Sequence, residues 1–145
     1  METIIESVKS LLKTTIPDGF TEAVLERLKS FGVTITEDDA FPIAFSINAT
    51  ISTIKTTCNI KEIPEGLFYV AVDMACGEYL DAMKNMNKLN IDGIDLTGAI
   101  KQIKEGDTAV TFDESASDEA KISAFIHHLL YGRRGELVCF RKIRW

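Results

Sequence analysis

One stretch constrains the fold more than any other. Between Leu67 and Met83 a helix would be apolar on two sides at once, with Leu67, Val70, Ala71, Met74 and Ala75 on one face and Phe68, Val72, Cys76, Tyr79 and Met83 on another. A helix of that kind needs cover on both faces. It is therefore either the central helix of a bundle, or one of its faces meets another subunit. Pro64 in Ile63-Pro64-Glu65-Gly66 suits the first position of this helix, where its missing N–H costs least, and the pattern continues to about Met86.

The flanking sequence also has helical period. Ile4, Ile5, Val8, Leu11 and Leu12 share one side of a first short helix, which stops at Ile16-Pro17-Asp18-Gly19. A second spans about Phe20 to Phe31, striped by Val24, Leu25, Leu28 and Phe31, with Gly32 placed for a left-handed stop. Thr36 and Asp39 resemble a capping box with Asp in place of Glu, and Glu37, Asp38 and Asp39 favour a helix start through the macrodipole. The third helix then runs to about Cys58, with Pro42 near its first turn and Ile47, Ile51, Ile54 and Cys58 as its stripe; a start nearer Phe41 fits as well.

From Asn87 to Glu114 the period changes. Asp92-Gly93, Gly98 and Gly106-Asp107 punctuate short stretches, Thr108 to Phe112 alternates like a strand, and Ile100 and Ile103 could instead share one helical turn. Ser117 caps a fifth helix lined by Ile122, Phe125, Ile126, Leu129 and Leu130 and ended by Gly132. The expectation is a mainly α fold: a small bundle of about five helices over residues 1–132, a long loop excursion over 87–114 holding a short β element, and an extended C-terminal arm over 133–145. Within that arm Leu137 to Phe140 reads as a strand.

The longest uninterrupted apolar run is the six residues Leu67 to Val72, and Glu2 and Glu6 interrupt the start where a signal peptide needs an apolar core. A soluble, unexported chain with no membrane partner is expected. Cys58, Cys76 and Cys139 are odd in number and widely spaced, giving neither a disulfide framework nor a metal or redox motif. Cys58 and Cys76 sit on apolar stripes as core residues. Asn48-Ala49-Thr50 matches a glycosylation sequon, which an unexported chain never presents to the enzyme.

Charge is unevenly spread. The net charge is −6, yet residues 133–145 hold Arg133, Arg134, Arg141, Lys142 and Arg144 against Glu136 alone, a local +4. The first 132 residues thus hold 11 bases and 21 acids, or −10. An acidic body is a poor general nucleic-acid binder.

Residues with chemical potential are sparse. His127 and His128 are adjacent, so on a helix they point about 100° apart and cannot grip one metal. Ser123 and His127 are spaced to touch, but no orienting acid or nucleophile elbow accompanies them. The pairs Asp38-Asp39 and Asp113-Glu114 lie beside helix starts, where carboxylates are expected for dipole reasons alone. The glycines never group as a phosphate-binding loop. No catalytic residue, metal site or cofactor is expected.

The closing segment is different. Phe140, Ile143 and Trp145 interleave with Arg141, Lys142 and Arg144, and leaving three such side chains in water forfeits about 1.5 to 3 kcal/mol each. Trp and Arg are also the types enriched at binding hot spots. A seat on another subunit is the expectation, ahead of packing on the chain's own bundle.

With these residues in view, the sequence resembles the head-tail connector (adaptor) proteins of long-tailed bacteriophages, including those of prophages in Gram-positive bacteria. Three stretches carry the resemblance: the short helices around Val8-Lys9-Ser10-Leu11-Leu12; Ile51 to Ile60 with its Cys58-Asn59, followed by Ile63-Pro64-Glu65-Gly66-Leu67 and Val72 to Leu80; and the ending Phe140-Arg141-Lys142-Ile143-Arg144-Trp145. The resemblance implies a structural, non-enzymatic subunit, made in the host cytoplasm, that forms a homo-oligomeric ring, usually twelvefold, in the virion neck. Such a ring binds the portal, extends the channel through which genomic DNA passes without specific binding, and offers its far side to a stopper or tail-completion protein.

On this reading Arg133, Arg134, Phe140, Arg141, Lys142, Ile143, Arg144 and Trp145 form the portal-binding arm. Ile94, Ile100, Ile103, Val110 and Phe112 of the loop contact neighbours in the ring or the stopper. Phe68, Val72, Tyr79 and Met83 are candidates for the subunit interface. A different class of protein also fits: a small cytosolic helical scaffolding or regulatory protein that binds an acidic partner through its basic tail. An enzyme built on His127, His128 or the acidic pairs ranks last.

Overall fold

A computed structural model describes residues 2–86, 118–133, 135–138 and 140. Five helices carry the fold: α1 (Glu2–Leu11), α2 (Phe20–Ser30), α3 (Ala40–Cys58), α4 (Phe68–Asn85) and α5 (Asp118–Tyr131). A single helical turn, α6 (Gly135–Val138), follows. Short 3-10 turns at Glu37–Asp39 and Glu65–Leu67 lead into α3 and α4. No strand occurs among the described residues. The expected β element at 108–112 lies outside them.

The boundaries follow from local chemistry. Gly32 ends the turn after α2 at φ +88°, a conformation open to glycine at little cost. The capping box forms: the Asp39 carboxylate accepts from the Thr36 N–H at 2.8 Å and from its hydroxyl at 3.3 Å. Asn59 closes α3 in the left-handed region at φ +55°, where Asn is tolerated better than most residues. Pro64 stands one position ahead of the turn Glu65–Leu67, and the α-helix proper starts at Phe68.

Helix α4 is the hub, packed against α2, α3 and α5, while α1 lies on α3. Helices α3 and α4 are antiparallel, since the short connection 59–67 joins them at one end and Tyr79 of α4 bonds Asp39 before α3 at the other. Helix α5 also runs antiparallel to α4. Lys84 meets Ser123 near one end and Asp73 meets Arg133 at the other, with Gly77 against Leu129 and Leu130 between them. A Cβ on Gly77 would sit 3.0 Å from Leu129 Cβ, so glycine sets how closely these two helices approach.

Val24, Leu25, Leu28 and Phe31 are buried, as are Ile47, Ile51, Ile54 and Cys58, and Ile122, Phe125, Ile126, Leu129 and Leu130. The stripes read from the sequence thus meet in one core. Phe31 and Phe125 close it edge to face with ring centroids 4.8 Å apart. Among the described residues no helix is long and apolar enough to cross a membrane.

The two-faced helix is resolved as the centre of the bundle, and this corrects the candidate subunit interface. Val72, Tyr79 and Met83 are buried within the chain itself, so their side chains cover neighbouring helices instead of facing outward. The Tyr79 hydroxyl donates to Asp39, and burial, followed by the nearby Asp39 charge, pushes its pKa well up. Phe68 is half-buried, its ring edge-on to Phe20 at 5.7 Å.

A second correction falls on Leu137 to Phe140. The described ones among them do not form a strand: Gly135–Val138 is a helical turn, and the Phe140 N–H donates to the Leu137 carbonyl at 3.1 Å. A strand needs a partner edge, and none exists among the described residues. The Arg133–Glu136 pair at 2.6 Å and i,i+3 spacing supports a helical turn instead, and that turn sends Leu137 inward.

Candidate functional site

The base of the closing segment is built from three helices. Asp73 of α4, its side chain only 17% exposed, accepts from Arg27 Nε at 3.0 Å and faces Arg133 Nη1 at 3.8 Å. The Arg27 guanidinium also lies 4.8 Å from the Phe31 ring centroid, so one cation joins the carboxylate to the core. A groove of about 490 Å³ opens above this cluster, lined also by Glu26, Ser30 and Tyr69.

Beyond Arg133 the chain stays on the bundle for another turn. Leu137 is buried, and its carbonyl accepts from the buried Cys58 thiol at 3.3 Å. Phe140 is half-buried and lies so close over Gly66 that a Cβ there would sit 2.5 Å from the ring. Within the expected arm over 133–145, Phe140 thus packs on the chain's own bundle, while Arg133, its side chain 42% exposed, stands beside Asp73 and Glu136. Arg134 and the residues Arg141, Lys142, Ile143, Arg144 and Trp145 lie outside the described residues, as do Ile94, Ile100, Ile103, Val110 and Phe112 of the loop.

The structure also presents a surface that the sequence reading passed over. Phe41 and Phe45, one turn apart on α3, are 65% and 64% exposed with ring centroids 6.3 Å apart. One turn ahead of them Glu37 and Asp38 are exposed as well. The signal was present: Ile43, Ile47, Ile51 and Ile54 define the buried stripe, and positions 41 and 45 fall off it. This face stands at the start of α3, the opposite end from Cys58 and the closing segment.

The remaining candidates are placed as follows. His127 is exposed, its ring 4.8 Å from that of Tyr131, and His128 is half-buried. The Ser123 hydroxyl accepts from Lys84 Nζ at 2.6 Å, beside a cleft of about 190 Å³ that His127 and Asp81 also line. Cys76 is buried against α2, its thiol donating to the Val24 carbonyl at 3.7 Å, and burial pushes its pKa well up. Among the described residues no group of three or more His, Cys, Asp or Glu is placed to hold a metal ion. Comparison with protein-family models, with curated proteins and with solved structures found no match to this chain.

Proposed function

We propose that this chain is a non-enzymatic neck subunit of a tailed bacteriophage, which assembles into a ring between the portal of a DNA-filled head and the stopper or tail. The sequence resemblance supplies the portal, the stopper and the twelvefold order. The observation that supports the reading physically is that one bundle bears two unlike surfaces at opposite ends of its central helix pair. One is the anchored base of a basic, aromatic segment, and the other is the acidic and aromatic start of α3. A closed ring of identical subunits needs such a pair, because each contact is heterologous.

On this reading the portal contact falls chiefly to residues 141–145, since Leu137 and Phe140 pack on the bundle and Arg133 stands beside Asp73. Ile94, Ile100, Ile103, Val110 and Phe112 remain the proposed loop contacts with neighbours or the stopper. The acidic body disfavours adhesion of passing DNA through like charge. Repetition strengthens the joint: arms that are individually weak act at high effective concentration once they share a ring.

The test is to delete Arg141 to Trp145 and examine portal-containing heads by electron microscopy. The shortened chain is expected to fold and to leave the heads without a ring. Heads that carry the ring in normal amount would overturn the arm's role.

A further inference from the structure

We infer that the exposed Phe41–Phe45 face of α3, headed by Glu37 and Asp38, is the seat for residues 141–145 of a second copy of this chain. The inference goes beyond the neck reading and holds whether or not a portal is the eventual partner. It names where these five residues go when only copies of the chain are present.

Complementarity is the first argument. The face offers two tilted phenyl rings and, one turn away, two exposed carboxylates. The segment offers Arg141, Lys142 and Arg144 with Ile143 and Trp145 between and beyond them. Guanidinium groups and an indole both stack on phenyl faces, and the cations are opposite in charge to Glu37 and Asp38.

Reach is the second argument, and it favours a second copy over the same one. The segment leaves from Phe140, which sits over Gly66 at the Cys58 end of α3. At about 1.5 Å per residue, Cys58 is about 26 Å along the helix from Phe41 and about 20 Å from Phe45. Five residues span at most about 18 Å fully extended. On its own bundle the segment could touch the pair only when fully stretched and with its side chains extended, whereas that of a neighbour needs no such stretch. Each copy then gives one segment and receives another, a head-to-tail contact that closes into a ring or continues as a filament.

The experiment uses the full chain alone. Trp145→p-benzoyl-phenylalanine keeps an aromatic tip and makes it photoreactive. Equal parts of light and heavy isotope-labelled protein are mixed, irradiated, and the linked peptides identified by mass spectrometry. Position 145 is expected to link to residues between 37 and 49, in mixed-isotope pairs. Adding Phe41→Ser with Phe45→Ser, or Glu37→Lys with Asp38→Lys, should lower the yield by about tenfold or more. All four positions are exposed, and circular dichroism checks that the variants remain folded. Single-isotope links only, links elsewhere, a yield indifferent to these substitutions, or no link at all would each overturn the inference. Because no portal is present, any of these results leaves the neck reading to its own test.

Discussion

Helices α3 and α4 are similar in length and in apolar content, and the chain treats them in opposite ways. Every large apolar residue of α4 except the half-buried Phe68 and the exposed Tyr69 lies buried among α2, α3 and α5. Helix α3 buries Ile43, Ile47, Ile51 and Ile54 yet leaves Phe41 and Phe45 about two-thirds exposed. An apolar stripe says that a surface wants cover. Whether the chain itself supplies that cover depends on how many helices surround the position. The helix that looked available for a partner has its apolar faces covered by the chain itself, and the exposed pair sits on a helix whose stripe looked satisfied.

The sharpest way to break the contrast between covered and uncovered apolar side chains is to truncate one phenylalanine in the core and one on the exposed face of α3. Phe31→Ala empties a fully buried site edge-on to Phe125 and should cost about 3 to 5 kcal/mol in chemical denaturation. Phe41→Ala removes an exposed ring and should stay within about 0.5 kcal/mol. Equal losses at the two sites would mean that the face at the start of α3 is covered by the chain itself.

A smaller effect sharpens the role of α4. Tyr79 donates to Asp39 from a buried position, so Tyr79→Phe should cost about 1 kcal/mol at neutral pH. The folded state raises the tyrosine pKa, so it binds this proton more tightly than the unfolded chain does. The corresponding stability is fully present below the ordinary tyrosine pKa of about 10 and is lost as pH rises beyond it. Cys76, also raised by burial, contributes in the same direction from a lower pH. The difference between the parent and Tyr79→Phe, measured by thermal melts from neutral to alkaline pH, should shrink above about pH 10. A difference that stays constant there would mean that the Tyr79 hydroxyl is not buried in the folded chain.

Much of the fold was legible because its signals are local. The helix stops at Gly32 and Asn59, the Thr36–Asp39 box and the stripe on α5 rest on neighbours within a few residues. What escaped depended on distant partners. Asp73 gathers Arg27 and Arg133 from positions 46 and 60 residues away, and no spacing rule links them. Leu137 looked like a strand residue because Leu137, Val138 and Phe140 favour strands, but its neighbourhood supplies Cys58 and the α3 surface instead of a sheet edge. The tail's mixed character was plain in the sequence, while the packing of Leu137 and Phe140 against the bundle required the structure.

The central claim is that the bundle is a carrier whose contacts with other molecules lie at residues 37–45 and 141–145. Amide hydrogen exchange, comparing the chain diluted until it is monomeric with the chain assembled on portal, tests it most directly. The account expects exchange to slow at the start of α3 and in residues 141–145, with the α4 amides unchanged because they are already buried. New protection concentrated on the middle of α4 or α5, with none at the start of α3, would contradict it.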